Sequence, residues 1–180
     1  PLFSELMMTP ASAGLRRTFQ LNDIVKKGGR GESGVSHIHV IGAGVMGGDI
    51  AAVAAMSGFH VTLQDLSAPA IDGALARART LFERRLKDAG KVDATMARLV
   101  SDPAGDGLEK ADLLIEAVAE NLEIKRSVFA AAEARMKPDA IMATNTSAIP
   151  LEDIGTALSA PDRLIGMHFF NPVPVLPLVE

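Results

Sequence analysis

The chain has 180 residues, and 18 Lys and Arg against 22 Asp and Glu give it a formal net charge of −4 at pH 7. This balance argues against nucleic-acid binding, which needs a concentrated basic surface. The lack of cysteine excludes disulfides and thiolate metal sites, and we expect no metal ion. No apolar run approaches the roughly 18 residues of a membrane-spanning helix, so no membrane span is predicted.

Residues 1–36 differ in composition from the rest of the chain. Pro10 suits the first position of a helix, which we predict to extend to about Lys27. The glycine-rich stretch 26–34 then has the composition of a flexible linker. We therefore predict a linker helix and a flexible linker in residues 1–36, followed by one domain over residues 37–180.

From residue 37 onward, predicted strands and helices alternate. The apolar runs that we interpret as strands cover residues 37–41, 59–63, 112–118, 140–144, 163–169 and 173–179. The predicted helices cover residues 44–57, 67–88, 92–100, 122–136 and 151–158. Most of these strands lack a polar face, which is typical of a parallel sheet covered on both sides by helices. The sequence thus predicts an α/β protein with a doubly wound, mostly parallel sheet.

A G-x-G-x-x-G pattern with glycines at Gly42, Gly44 and Gly47 follows the first strand and opens the first helix. In this position the first glycine permits a tight turn, the second leaves room for a pyrophosphate, and the third lets the helix pack closely on the strand. The helix then offers free N–H groups and its positive dipole end to the phosphates. The pattern predicts a Rossmann-type dinucleotide site.

The acid at the end of the second strand indicates which dinucleotide binds. Asp65 lies 23 positions after Gly42 (65 − 42), close to the spacing of about 20 for the acid that binds the adenosine ribose. Its carboxylate would repel a 2′-phosphate, and no Arg or Lys follows at Leu66 or Ser67 to compensate. We therefore predict NAD rather than NADP. An alternative role for Asp65 is the N-cap of the next helix.

Four further segments carry a resemblance to a known family. They are Glu116–Asn121 (EAVAEN), Thr144–Ser147 (TNTS), His168–Pro174 (HFFNPVP) and Leu178–Glu180 (LVE). Together they closely resemble the 3-hydroxyacyl-CoA dehydrogenase family, over about residues 37–180, and HFFNPVP is the most specific of them. The N-terminal stretch is loosely similar to the helix that joins hydratase and dehydrogenase parts in multifunctional bacterial or peroxisomal enzymes.

The resemblance implies three catalytic residues. His168 corresponds to the catalytic histidine, Glu180 to the acid that orients it, and Ser147 to the serine that hydrogen-bonds the 3-oxygen of the substrate. A neutral imidazole can take the hydroxyl proton while hydride leaves for the nicotinamide, and a buried carboxylate would stabilise the imidazolium. Otherwise, His168 would be a packed core histidine and Ser147 the N-cap of the helix that starts at Leu151.

The resemblance also implies contacts to the cofactor. Besides Gly42, Gly44, Gly47 and Asp65, these are Met46, Val118, Ala119, Glu120, Lys125, Ser147 and Asn171. The alternative for Lys125 is an ordinary exposed lysine on a helix surface. Arg77, Arg84 and Lys87 form a basic strip opposite the apolar face of the helix over 67–88, which is either a contact for CoA phosphates or solvated surface charge.

The predicted activity is the oxidation of (S)-3-hydroxyacyl-CoA to 3-oxoacyl-CoA with NAD in fatty-acid oxidation. Three alternatives stay open: an NAD-sensing module without catalysis, a dehydrogenase of a free 3-hydroxy acid, and a 6-phosphogluconate-type enzyme, although the last lacks HFFNPVP. We expect an oligomeric full-length protein in the bacterial cytoplasm, with peroxisomes and mitochondria as alternatives.

The chain departs from the family pattern at both ends. It starts with Pro1 rather than Met, so we interpret it as a piece of a longer protein. The family continues after the position of Glu180 into a helical domain that supplies another catalytic asparagine and closes the acyl cleft. We therefore expect this chain alone to turn over acetoacetyl-CoA poorly.

Overall fold

The computed structural model describes Thr9, residues 12–14, Arg17, residues 34–176 and residues 178–180. The chain divides into two units, Pro1–Gly34 and Val35–Glu180. Most of the helix predicted from Pro10 to Lys27, and nearly all of the predicted linker, lie outside the described residues. The fold described below is that of the second unit.

A six-stranded, all-parallel sheet forms the centre of this unit. The strands are β1 (His37–Ile41), β2 (His60–Gln64), β3 (Leu99–Ser101), β4 (Leu113–Glu116), β5 (Ile141–Thr144) and β6 (Leu164–Gly166). Their spatial order is β3-β2-β1-β4-β5-β6. This order confirms the predicted Rossmann-type fold. Strands β1 to β3 extend the sheet toward one edge and β4 to β6 extend it toward the other, so the strand order reverses between β1 and β4.

Helices connect the strands and cover the sheet. They are α1 (Val45–Met56), α2 (Ala68–Leu86), α3 (Ala89–Met96), α4 (Leu122–Glu133) and α5 (Leu151–Gly155), with short 3-10 turns at Asp106–Glu109 and Pro161–Arg163. Side-chain caps define where three of them begin: Ser67 caps α2, Asp88 caps α3 and Asn121 caps α4. Each cap accepts a hydrogen bond from a backbone N–H of the first turn that has no partner within the helix.

The core lies on both faces of the sheet. Around β1 and β2 it includes the predicted apolar face of α2, whose Ile71, Ala78 and Phe82 are fully buried and whose Leu75 and Leu86 are partly buried. A second apolar cluster packs α4 and α5 against β4 and β5. The continuous apolar strands of the sequence reflect this two-sided burial.

Two predicted elements are wrong. The helix predicted over residues 92–100 ends at Met96, and the chain then forms edge strand β3, where buried Leu99 pairs with Val61 of β2. The strand predicted over residues 173–179 is absent from the described part of this segment, which has only an isolated antiparallel bridge between Phe169 and Val179. Both segments are too short for periodicity to distinguish their conformations.

A polar cluster interrupts the core between β1 and β2. His39 is fully buried, with Nδ1 2.7 Å from the Thr62 hydroxyl and Nε2 3.0 Å from Gln64 Oε1. The ring of His37 lies 2.9 Å from the same hydroxyl through Nε2. Burial lowers the pKa of His39, although the Gln64 hydrogen bond and the charge of Asp102 act in the opposite direction. Burial, followed by the neighbouring histidines, lowers the pKa of His37.

The buried histidines predict acid sensitivity. In the unfolded chain both rings bind a proton near pH ~6.5, whereas the folded chain keeps them neutral to lower pH. Their contribution to stability is therefore complete above about pH 6.5 and is lost as the pH falls toward their lowered pKa values. We expect urea unfolding to give a smaller free energy of unfolding at about pH 5 than at about pH 7.

The test of acid sensitivity is a comparison of wild type with a histidine variant. His39→Gln should reduce the difference in the free energy of unfolding between the two pH values. An equal pH dependence in wild type and His39→Gln would contradict the assignment to this cluster.

Candidate functional site

The glycine loop between β1 and α1 adopts a conformation that two of its glycines make possible. Gly42 has φ of +106°, a left-handed conformation, and its N–H donates to the Gln64 carbonyl at 2.8 Å. A Cβ at Gly42 would lie 2.5 Å from the Ala117 carbonyl oxygen, and one at Gly47 would overlap the Gly42 carbonyl. Both positions therefore require glycine for close packing of the loop against β4 and α1.

Gly44 differs from these two glycines because it faces open space. It is the N-cap of α1, and a Cβ there would meet no atom within 4 Å. The free N–H groups of the α1 N-terminus begin at this point, and Met46 lies in the first turn, half-buried against the core. An open cradle at a helix N-terminus fits a pyrophosphate.

Asp65 connects the end of β2 to the glycine loop. Its Oδ2 accepts a hydrogen bond from the Ala43 N–H at 2.6 Å, and its Oδ1 accepts one from the Ser67 N–H at 2.9 Å. The alternative that Asp65 is the N-cap of the next helix is wrong, since Ser67 caps α2 by accepting from the Ala70 N–H at 3.4 Å. The carboxylate thus borders the glycine loop at the carboxyl end of β2.

An open cleft of about 540 Å³ lies outside the carboxyl ends of β1 and β4, where the strand order of the sheet reverses. Ligands of open α/β sheets bind at this topological switch point. The cleft brings together five of the predicted cofactor residues: Gly42, Gly44, Asp65, Val118 and Ala119. Apolar side chains including Leu66, Ile124 and Val128 form much of its remaining wall, which suits the faces of an adenine ring.

Next to this cleft, a buried ion pair joins β4 to α4. Glu116 is 0% and Lys125 1% exposed, and the Lys125 ammonium donates to both Glu116 carboxylate oxygens at 2.8 and 2.9 Å. The alternative that Lys125 is an ordinary exposed lysine is therefore wrong. Glu116 opens the EAVAEN segment but was not predicted as a site residue, because a single acid at the end of an apolar strand does not indicate a role by itself.

Glu120 extends this ion pair toward the surface. Its Oε2 lies 3.3 Å from the Lys125 ammonium, while its Oε1 accepts from the Thr146 hydroxyl and from the Ser147 N–H at 3.2 Å. Partial burial raises the pKa of Glu120, but the Thr146 hydrogen bond and the Lys125 charge outweigh it, so its pKa is lowered. Glu120 is therefore an anion that connects the loops after β4 and β5.

The loop after β5 carries Ser147 and also Asn145, which was not predicted as a site residue. Ser147 is exposed, and its role as N-cap of α5 is excluded because Pro150 occupies that position. Asn145 donates its N–H to the Glu116 carbonyl at 2.8 Å, and its Oδ1 accepts from the Phe169 N–H at 2.8 Å. Asn145 thus ties β4 to the residue that follows His168.

His168 and Glu180 lie side by side although they are 12 positions apart in the sequence. Each donates its backbone N–H to the carbonyl of the other, at 2.9 and 3.0 Å, next to the Phe169–Val179 bridge. Their side chains approach to 3.8 Å between Nδ1 and Oε2. His168 is 27% exposed, so it is not a fully packed core residue, and the expected burial of Glu180 is wrong because its side chain is 79% exposed.

The turn between His168 and Glu180 contains Asn171, which is exposed. Val173 anchors this turn in the core, and Arg85 of α2 donates to the Pro174 carbonyl at 2.7 Å. A groove of about 450 Å³ runs between the turn and α2, and Arg77 and Arg84 are among its lining residues.

The basic strip of α2 (Arg77, Arg84 and Lys87) is thus more than surface charge, because two of its residues line this groove. Arg77 also donates to the Gly44 carbonyl at 3.2 Å, so it touches the glycine loop as well as the groove. Lys87, by contrast, is exposed at the C-cap of α2 and is not among the groove residues.

Sequence comparison supports the dinucleotide site that the geometry of the cleft indicates. The family model for "3-hydroxyacyl-CoA dehydrogenase, NAD binding domain" matches residues 37–180. The chain belongs to this family. The match confirms NAD as the cofactor of the domain, and the residues of the cleft fit that dinucleotide because the open cradle at Gly44, the acid at the end of β2 and the apolar wall lie at one sheet edge.

Known relatives of this NAD-binding domain include multifunctional proteins. The fatty acid oxidation complex subunit alpha of Acinetobacter baylyi is 36% identical over 186 residues, which cover 99% of this chain and 26% of that subunit. The crystal structure of 3-hydroxybutyryl-CoA dehydrogenase from Escherichia coli K12 is similar, with a TM-score of 0.77 and 38% identity over 81% of this chain and 32% of that one. The dehydrogenase part of a multifunctional enzyme from C. elegans has a TM-score of 0.69 and 30% identity, over 81% of this chain and 34% of that one.

The chain therefore spans about a quarter to a third of the length of these relatives. None of the helices in the described part of the chain is both long and apolar enough to cross a membrane. Among the same residues, no group of three or more His, Asp or Glu side chains is placed to hold a metal ion.

Proposed function

We propose that this domain, as part of a longer protein, oxidises (S)-3-hydroxyacyl-CoA to 3-oxoacyl-CoA in fatty-acid oxidation. The observation that carries the proposal is the pairing of His168 with Glu180 after β6, at the same carboxyl edge of the parallel sheet as the cofactor cleft. A general base next to a dinucleotide cleft is the arrangement that alcohol oxidation needs.

In the proposed mechanism, the residues of this chain bind, orient and move one proton. The glycine loop and Asp65 would hold NAD, which would supply the acceptor for the hydride of the substrate C3. The neutral His168 imidazole takes the proton of the 3-hydroxyl group, and the Glu180 carboxylate stabilises the resulting imidazolium. Ser147 donates a hydrogen bond to the 3-oxygen as it becomes a carbonyl.

We assign the cofactor's pyrophosphate to the glycine loop, its adenosine ribose to Asp65, and its nicotinamide half to the region of Glu120 and Asn171. Val118 and Ala119 would contact the cofactor as walls of the cleft, and Met46 through its backbone. Lys125 would act near the nicotinamide half, beside Glu120.

Two observations support the proposed substrate class: the substrate named for a relative, and the basic groove. The solved relative from E. coli is a 3-hydroxybutyryl-CoA dehydrogenase, and the Arg77 and Arg84 guanidinium groups line a groove that could receive the phosphates of CoA. We test the class by comparing 3-hydroxybutyryl-CoA with free 3-hydroxybutyrate as substrates of a full-length protein that carries this domain. Faster turnover of the free acid would overturn the CoA assignment, and no turnover of either would favour an NAD-sensing module.

The preference for NAD is a separate prediction. Calorimetric titration should show tighter binding of NADH than of NADPH, because the Asp65 carboxylate would repel the 2′-phosphate. Asp65→Ala should narrow the difference between the two affinities, while Asp72→Ala, which removes an exposed acid from α2, should leave it unchanged. Equal or tighter binding of NADPH to wild type would contradict the role of Asp65.

We further propose that the full-length protein assembles into an oligomer in the bacterial cytoplasm. The A. baylyi relative is named as a subunit of a complex, which supports an assembly. Sedimentation of the full-length protein tests this assembly.

A further inference from the structure

We propose that Glu116 is a positioning residue, which together with Lys125 holds the loops that face the cofactor and the substrate. The inference deepens the proposed function and rests on it for the identity of those ligands. In this proposal the Glu116 side chain touches neither the cofactor nor the substrate, but it holds in place the backbone and side chains that do.

The burial of the pair points to a role other than net stability. Both charges are almost fully removed from water, at 0% and 1% exposure. A buried ion pair often contributes no more to stability than well-packed apolar side chains of the same volume, because desolvation offsets the attraction. Removing only one partner is strongly destabilising, since it leaves an uncompensated charge in the core.

Every hydrogen-bonding position of the Glu116 carboxylate is used. Oε1 accepts from the Val118 N–H at 2.7 Å and from Lys125, while Oε2 accepts from the Thr144 hydroxyl at 2.7 Å and again from Lys125. The Glu116 backbone carbonyl accepts the Asn145 N–H at 2.8 Å. One residue therefore fixes the first turn of the loop after β4 and the start of the loop after β5. An amide, which has only one oxygen, cannot accept these four side-chain hydrogen bonds.

Lys125 transmits this arrangement to the surface of the site. Its ammonium lies 3.3 Å from Glu120, which in turn holds the Thr146 hydroxyl and the Ser147 N–H. At the other end of the network, Val118 forms part of the wall of the 540 Å³ cleft. A continuous set of polar contacts thus runs from the cofactor cleft through the buried pair to Ser147.

A second ion pair, at the opposite end of β4, provides a control. Lys137 lies 2.7 Å from Asp112, which precedes β4 at the end opposite the cleft. The remaining side-chain hydrogen bonds of Asp112 go to Ser36 and His37, at the amino end of β1. Asp112→Asn therefore perturbs a charge pair and the protein's stability without touching the two loops of the site.

The experiment compares wild type, Glu116→Gln/Lys125→Met and Asp112→Asn. The double variant removes both buried charges and keeps the volumes similar, so we expect its melting temperature to stay near that of wild type. Its affinity for NADH should nevertheless fall roughly tenfold, the equivalent of about one well-placed hydrogen bond. NADH binding can be followed by nicotinamide fluorescence without tyrosine or tryptophan background, since the chain has neither.

A second readout does not depend on NADH. Hydrogen exchange of the Val118 and Ser147 amides should be at least roughly tenfold faster in the double variant, while the amides of β1 keep their protection. Asp112→Asn should lower the melting temperature and change neither the NADH affinity nor these two exchange rates. If the double variant fails to fold, Thr144→Val, which removes one hydrogen bond to Glu116, should still accelerate exchange at Val118.

The outcomes separate this inference from the proposed function. Wild-type NADH affinity and wild-type exchange at Val118 and Ser147 in the folded double variant would overturn the positioning role. A wild-type chain that binds no NADH would instead overturn the proposed cofactor site, while faster exchange in the variants would still support the positioning role of Glu116.

Discussion

Replacing His168 by alanine in a full-length protein that carries this domain is expected to lower kcat by roughly 10²–10⁴, the range for loss of a positioned general acid–base. NADH affinity should change little, because Gly42, Gly44 and Asp65 line the cleft whereas His168 is not among its lining residues. The quantity to measure is kcat per folded, NADH-binding molecule, which separates a chemical effect from a loss of folded protein.

Two further variants make the result specific. Glu180→Gln should also lower kcat, since an amide can bond the imidazole but cannot stabilise the imidazolium. His60→Ala removes an exposed histidine at the start of β2 and should leave kcat unchanged. If kcat per NADH-binding molecule is the same in His168→Ala as in wild type, His168 is not the base.

The second large effect is expected at Gly44. Gly44→Ala should fold as well as wild type, because the added Cβ meets no atom within 4 Å and the residue has an ordinary φ of −59°. The same methyl group would occupy the place of the pyrophosphate, so the dissociation constant for NADH should rise roughly tenfold or more. Calorimetric titration and thermal unfolding of the same preparation measure both quantities.

Gly47→Ala is the matched comparison, since it adds the same methyl group three residues away. There the Cβ would overlap the Gly42 carbonyl, so we expect a loss of about 3 kcal/mol in the free energy of unfolding. A Gly44→Ala protein that binds NADH as wild type does would show that the pyrophosphate lies elsewhere.

Local patterns in the sequence were enough to predict the fold, the cofactor and the family. Strands buried on both faces read as continuous apolar runs, and the glycine spacing at Gly42, Gly44 and Gly47 reflects constraints within a few residues of one turn. Edge strand β3 and the strand wrongly predicted over residues 173–179 were the exceptions, because such short segments carry too little periodicity to distinguish their conformations.

The arrangement of the site depended instead on contacts between residues far apart in sequence. The packing of β4, β5 and the Phe169–Val179 bridge sets these contacts. It buries Lys125 against Glu116 and places Asn145 against the residue after His168. It also leaves Glu180 exposed. Side-chain type and spacing do not encode these distances, because each is set by the packing of separate strands. The sequence by itself therefore determined which chemical groups are present, and only the tertiary structure decided which of them touch.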